Sequence, residues 1–263
     1  MILYRAALAV YTTSWSIAGG LLRSADGAKW FIFFTNWGYT FLNIHFILGT
    51  ILPYYYHWKI RKSVNHANTD DINSDCKTDD ALSTDESHQV INVSRFPWFQ
   101  RACKASWVIY SIAACVGPVI TVTYWSAVYT PKVRVDGADV DAHAVNSVMI
   151  IVDTLMCSIP IRFFHVVYPM AFMLLYAIFT VIYWLSGGTN NIGKPYVYAV
   201  LDYQNHPVIA TITILCIFFI ALPLSQLFLY WLYRFRCWLK TRKACSCTMN
   251  EVWGFNKDWE MPF

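Results

Sequence analysis

Residues 30–56 read WFIFFTNWGYTFLNIHFILGTILPYYY, a run without a single Asp, Glu, Lys or Arg. A helix rises 1.5 Å per residue, so about 20 mostly apolar residues cross the hydrocarbon of a bilayer. The run is long enough. It nevertheless carries Thr35, Asn36, Asn43 and His45, and polar groups at membrane depth must find partners within the protein.

Five more runs of the same kind lie on either side: 6–22, 105–131, 163–192, 203–233, and 142–161, the last broken only by Asp153. The whole chain of 263 residues is 57% hydrophobic and 14% charged, with a mean hydropathy of +0.38, against about 25% charge in ordinary soluble domains. These features predict an all-α integral membrane protein, a bundle of six transmembrane helices within residues 1–233. The run 6–22 has a second reading as a secretory signal, since a basic start, an apolar core and Ala18, Gly19 and Gly20 also suit residues 1–22 to cleavage.

With six spans, 15 of the 20 Lys and Arg fall on the side of the N-terminus. Cytoplasmic segments collect positive charge, so both termini are expected in the cytoplasm. Residues 63–94 are acidic, poor in aromatics and aperiodic, and read as a disordered cytoplasmic loop. Residues 234–263 read as a cytoplasmic tail. In it Cys245 and Cys247 follow a basic cluster beside the last span, a setting for palmitoylation or for two idle reduced thiols. No cysteine falls in an outer loop, which excludes an extracellular disulfide framework. Among the outer loops, Gly187, Gly188, Asn190, Asn191 and Gly193 supply turn chemistry, and Pro207 suits the first turn of the last helix.

No P-loop, dinucleotide fingerprint, HExxH or GxSxG motif is present, and no cofactor or metal is expected. The net charge of +4 comes from clusters flanking the spans, which argues against nucleic acid as a partner. Membrane lipids are the partners implied, and no protein partner is named by any motif.

Asp153 is the costliest group in the spans, about 2.5–3.5 kcal/mol at a helix centre on insertion scales. Asn43 and His45 are its candidate partners, and a proton site is the alternative. On one helix, His143, Asn146 and Asp153 fall within half of the surface at 3.6 residues per turn. Thr35 lies roughly 9 Å inside the boundary at Lys29, and His143 lies at a similar depth in the fourth span. If those spans are neighbours, a hydroxyl and a base could meet there. The plainer alternative is that Thr bonds the carbonyl one turn back while Asn and His join helices. His165, beside Arg162, suits an interfacial anchor. Transport would want paired midplane charges, and only Asp153 fits.

The stretches KWFIFFTNWGYTFLNIHFILG, HAVNSVMIIVDTLM, PIRFFHVVYPMAF, YWLSGGTN and YVYAVLD together resemble the Rolling stone family of invertebrate multipass membrane proteins. The resemblance implies a plasma-membrane protein linked to myoblast fusion and muscle development. A weaker resemblance extends to the androgen-induced transmembrane hydrolases of fatty-acid esters of hydroxy fatty acids. It implies Thr35 as nucleophile, His143 as base, Asp153 or Asp202 as orienting group, and a fatty-acid ester as substrate. The spacing from Trp30 to Thr35 differs by one from that pattern, and the family's His can also align with Asn146, in which case the base is missing.

Overall fold

The computed structural model describes residues 2–18, 27–60, 97–129, 137–157 and 159–243, and every regular element among them is helical. The acidic loop 63–94, Asn92, Cys245 and Cys247 lie outside the described residues.

Six helical rods run through the described residues. The first is α1 (Ile2–Ile17), and the second is α2 (Phe34–Tyr55), entered through a 3-10 turn at Gly27–Ile32. The third, α3 (Pro97–Thr123), widens into a π turn at Tyr124–Val128. In the fourth, α4 (Gly137–Val140) passes through a π turn at Asp141–Val145 into α5 (Asn146–Met156). The fifth is α6 (Val167–Leu185). The sixth begins with α7 (Pro207–Cys216), with Pro207 in its first turn as expected, and continues through a π turn at Ile217–Ala221 into α8 (Leu222–Lys243). It runs on past Tyr233, where the sequence suggests a tail.

Three rods, Pro97–Val128, Phe163–Leu185 and Pro207–Lys240, are long and apolar enough to cross a membrane. Those built from α1, α2 and α4–α5 are more polar or shorter, and the polar residues they carry are largely the buried ones.

The central rod is α3, buried on every side from Tyr110 to Gly117, as a helix apolar all round must be. It packs on α2, α5, α6 and α8, while α1 lies against α2. Small residues let the backbones approach. A Cβ at Gly38 of α2 would stand 2.6 Å from the Ile120 side chain of α3, and one at Gly117 of α3 would stand 2.9 Å from Asn146 Oδ1 of α5. By contrast, α6 and α7–α8 turn Leu174, Leu175, Ile178, Ile209 and Ile212 outward.

The segment between α6 and α7 is folded on itself. Gly187 and Gly193 take positive φ of 74° and 76°, which glycine adopts without a Cβ penalty. The Asn190 side chain accepts from the amides of Ile192 and Lys194, and Lys29 Nζ donates to the main-chain carbonyl of Asn190 at 3.0 Å.

Candidate functional site

Two polar sites stand out. The first lies deep between α1, α2 and α5, where Arg5 forks onto Asp153, with Nε donating to Oδ1 and Nη2 to Oδ2, each at 3.0 Å. The planar guanidinium matches a carboxylate in this two-bond geometry. His45 Nε2 lies 3.0 Å from Asp153 Oδ2. An ionised carboxylate only accepts, so Nε2 carries the proton and donates, and among the described residues Nδ1 has no partner. His45 and Asp153 are 0% exposed and Arg5 is 9% exposed. The pair of opposite charges makes the cluster neutral overall, which is how ionised groups are accommodated in hydrocarbon.

Of the two partners expected for Asp153, His45 is therefore the one that reaches it. Asn43 instead accepts from Thr12 Oγ1 and Thr13 Oγ1, both at 3.0 Å. Arg5, which sequence reading placed among the cytoplasmic charges, is turned into the bundle. A second buried cation, Arg236 of α8, caps the end of α5 by donating to the carbonyls of Thr154, Cys157 and Ile159. These would otherwise be orphaned acceptors at a helix C-terminus. Between the two cations, the Tyr110 hydroxyl meets Thr154 Oγ1 at 2.9 Å and its ring stands 5.0 Å from the His45 ring.

The second site is a cleft at the end of the bundle where α2 begins. It is an open cleft with about 60 Å³ of space between α2, α3, α6 and α7 and the turn at Ala199–Leu201. Thr35 lines it, together with Tyr198, whose hydroxyl accepts from the Phe34 amide at 3.0 Å, and Tyr176, whose hydroxyl donates to the Ile32 carbonyl at 2.8 Å. His143 is not in its lining. The imidazole lies flat on the Tyr124 ring, with centroids 3.5 Å apart and planes 5° apart, and its buried Nδ1 has no partner among the described residues. Among the described residues no hydrogen bond joins Thr35 to His143, although α2 does touch the turn that carries His143.

The two candidate orienting groups are engaged elsewhere, Asp153 as above. Asp202 closes the turn before α7, accepting from the amides of Asn205 and Gln204 and from the Asn205 side chain. Those donors, the Asn205 amide foremost, hold its carboxyl below the usual carboxylate range. His165 packs edge-on against Trp107 at 4.5 Å. Among the described residues no group of three or more His, Cys, Asp or Glu is placed to hold a metal ion.

A family model described as "Protein rolling stone" matches residues 1–254. The chain belongs to the rolling stone family. One relative, Protein rolling stone of Drosophila melanogaster, is 26% identical over 256 residues, covering 96% of this chain and 82% of the relative. No solved structure matches. Because the rolling stone match spans all six rods, both polar sites lie within the family region.

Sequence reading missed Arg5 and Arg236 as interior groups and Tyr198 as the neighbour of Thr35 in the cleft. A signal existed for the first. An Asp at membrane depth asks for a cation, and Arg5 is the only one preceding the first apolar run.

Proposed function

We propose that this rolling stone family member is a six-span plasma-membrane protein with both termini in the cytoplasm, and that it acts without catalysis in the fusion of muscle precursor cells. The observation that carries this reading is how its polar residues are used. In α1, α2 and α5 they face one another and satisfy one another, as in Arg5–Asp153–His45 and Thr12–Thr13–Asn43, so that three less apolar rods become compatible with lipid. The charge distribution along the sequence supports the orientation. The long outer segment, tied down by Asn190 and Lys29, is too short for a folded recognition domain. Membrane lipids are then the surroundings in which it acts.

The test is genetic complementation in muscle precursor cells. Loss of the chain should reduce the number of nuclei per syncytium, and the wild-type sequence should restore it. Thr35→Ala and His143→Ala should restore it equally well, because neither acts as a catalytic group. Normal fusion in null cells overturns the fusion role. Rescue lost with either substitution at normal surface expression, together with ester hydrolysis by the purified wild type, returns the Thr/His hydrolase.

A further inference from the structure

One nitrogen of the buried cluster is a proton acceptor that nothing occupies. With Nε2 donating to Asp153 Oδ2 at 3.0 Å, His45 keeps a lone pair on Nδ1, which no donor meets among the described residues. The ring is 0% exposed, and the Phe46 and Tyr110 rings stand 5.2 Å and 5.0 Å from it. The titratable and charged groups gathered here are Tyr4 and Arg5 of α1, Tyr110 of α3, Asp153 and Cys157 of α5, and Arg236 of α8. Carboxylates ionise near pH 4, while Cys, Tyr and Arg part with protons only above about pH 8, so His45 is the group of this set that titrates around neutrality.

Asp153 already has its counter-charge in the forked guanidinium of Arg5. A proton added at Nδ1 would set a second cation against a single carboxylate, away from water, and its desolvation would go uncompensated. The cluster can return to neutrality by letting one cation go. His45 is enclosed on α2, whereas Arg5 is 9% exposed and sits in the first turns of α1. Its long side chain can carry the guanidinium out to the headgroups. The imidazolium then holds the carboxylate through the Nε2 bond it already makes. The two neutral arrangements differ by one proton taken up and one guanidinium released.

The seating of α1 depends on that guanidinium. Of its 16 residues only Arg5 and Thr12 are buried, and the rod it packs on is α2. Leu3 and Val10 are 86% and 68% exposed. The helix is therefore tied by polar contacts at two heights. Arg5 on Asp153 is one, and Thr12 and Thr13 on Asn43, with Tyr11 on Asp141 at 2.6 Å, are the other. Loss of the first leaves the second in place.

We infer that Arg5, Asp153 and His45 form an acid-released latch, in which a proton at His45 Nδ1 displaces Arg5 from Asp153 and frees α1 on the N-terminal side of Thr12. A buried histidine biasing an element between two seatings is the physical basis of a pH switch. Under the six-span topology proposed above, the latch lies toward the cytoplasm and answers acidification there. It does not depend on the role in fusion.

The experiment is hydrogen exchange of the full chain in phosphatidylcholine nanodiscs, in a neutral arm at about pH 7.5 and an acid arm at about pH 5.5, on either side of the ordinary histidine value of about 6.5. Each rate is divided by the intrinsic chemical rate at its pH, so that protection alone is compared. When the released form is the one that binds the proton, its population relative to the closed form rises about tenfold from the neutral to the acid arm. The amides of residues 6–11 should lose protection by that factor, while those of residues 173–177 in α6, which carries no member of the cluster, should keep theirs. His45→Gln can still donate to Asp153 but cannot become a cation, so protection over 6–11 should be equal in both arms. Arg5→Met leaves the imidazolium to replace the missing cation and should reverse the sign, with more protection in acid than at neutral pH.

Equal protection of the wild type in both arms overturns the latch. An acid loss that persists in His45→Gln overturns it too, because another group is then titrating, as does an acid loss in Arg5→Met as large as that of the wild type. Where Arg5→Met does not purify as a monodisperse protein, the wild type and His45→Gln decide between them.

Discussion

Asp153→Leu tests the buried cluster most directly. The carboxylate, 0% exposed, receives two hydrogens from Arg5 and one from His45, all at 3.0 Å. Leucine fills comparable space but leaves the Arg5 cation buried with no counter-charge and His45 with neither ring nitrogen partnered. Two unit charges 4 Å apart attract by about 4 kcal/mol at an effective dielectric constant of about 20, and deleting one partner of a buried pair costs about 3–5 kcal/mol. The single variant should therefore lose about that much, and Arg5→Met should lose a similar amount because it strands the carboxylate instead.

The double variant Arg5→Met/Asp153→Leu removes both charges together. Replacing a whole buried pair by apolar groups is often nearly neutral, so the double variant should lose no more than about 1–2 kcal/mol, which against two single losses of about 3–5 kcal/mol each is a coupling of at least about 4 kcal/mol. Asp153→Asn should fall between. Its amide keeps one acceptor oxygen but turns an NH₂ toward a guanidinium that only donates. The assay is the midpoint of unfolding in mixed detergent and SDS micelles, read on purified protein, with folded yield by size exclusion as a second measure. Additive losses in the double variant, or wild-type stability of Asp153→Leu, would refute the ion-pair account.

Three further expectations are independent of that cluster. Gly117→Leu should force α3 away from α5, since even a Cβ there stands 2.9 Å from Asn146 Oδ1 and 3.3 Å from Ile150. The overpacking should cost about 1–3 kcal/mol in the same SDS titration. Asn92 forms an NxS sequon in the segment assigned to the cytoplasm, so the protein from eukaryotic cells should show no glycosidase-sensitive mobility shift, and a shift removed by Asn92→Gln would reverse the topology. Because the folded pKa of Asp202 is lowered by its turn donors, the stabilisation it gives is complete above the unfolded carboxylate value of about 3.9 and is lost only as the pH falls through the lower folded value. Protection of the Gln204 and Asn205 amides in hydrogen exchange should persist to that acid limit, and Asp202→Ala should abolish it at neutral pH.

The six apolar runs became six rods because run length and turn residues are local properties. Gly187, Asn190, Gly193 and Pro207 could be read for the same reason. Which group met which could not be read. Arg5 and Asp153 are 148 residues apart, and nothing near either one names the other. An Arg in the first turns of an apolar run reads as a flanking charge whether it points to water or inward.

Azimuth was the other failure, and the pair Thr35 and His143 shows why. Placing His143 on one face with Asn146 and Asp153 assumed an unbroken 3.6-residue period from 143 to 153. His143 instead sits in the π turn Asp141–Val145, where each hydrogen bond spans one more residue than in an α-helix. The phase therefore slips before Asn146, and an angle carried back from Asp153 to His143 no longer points where the α-helical count says. The α-helical part of the count holds. Asn146 and Asp153, both within α5, are both buried in the bundle, while His143, one turn beyond the slip, lies on Tyr124. Tyr124 itself opens the π turn Tyr124–Val128 at the end of α3, so two local widenings bring those rings together at the bundle end. The depth match that suggested a catalytic pair was an inference about height. It could not become one about contact, because the turn that sets direction leaves no periodic trace in the sequence.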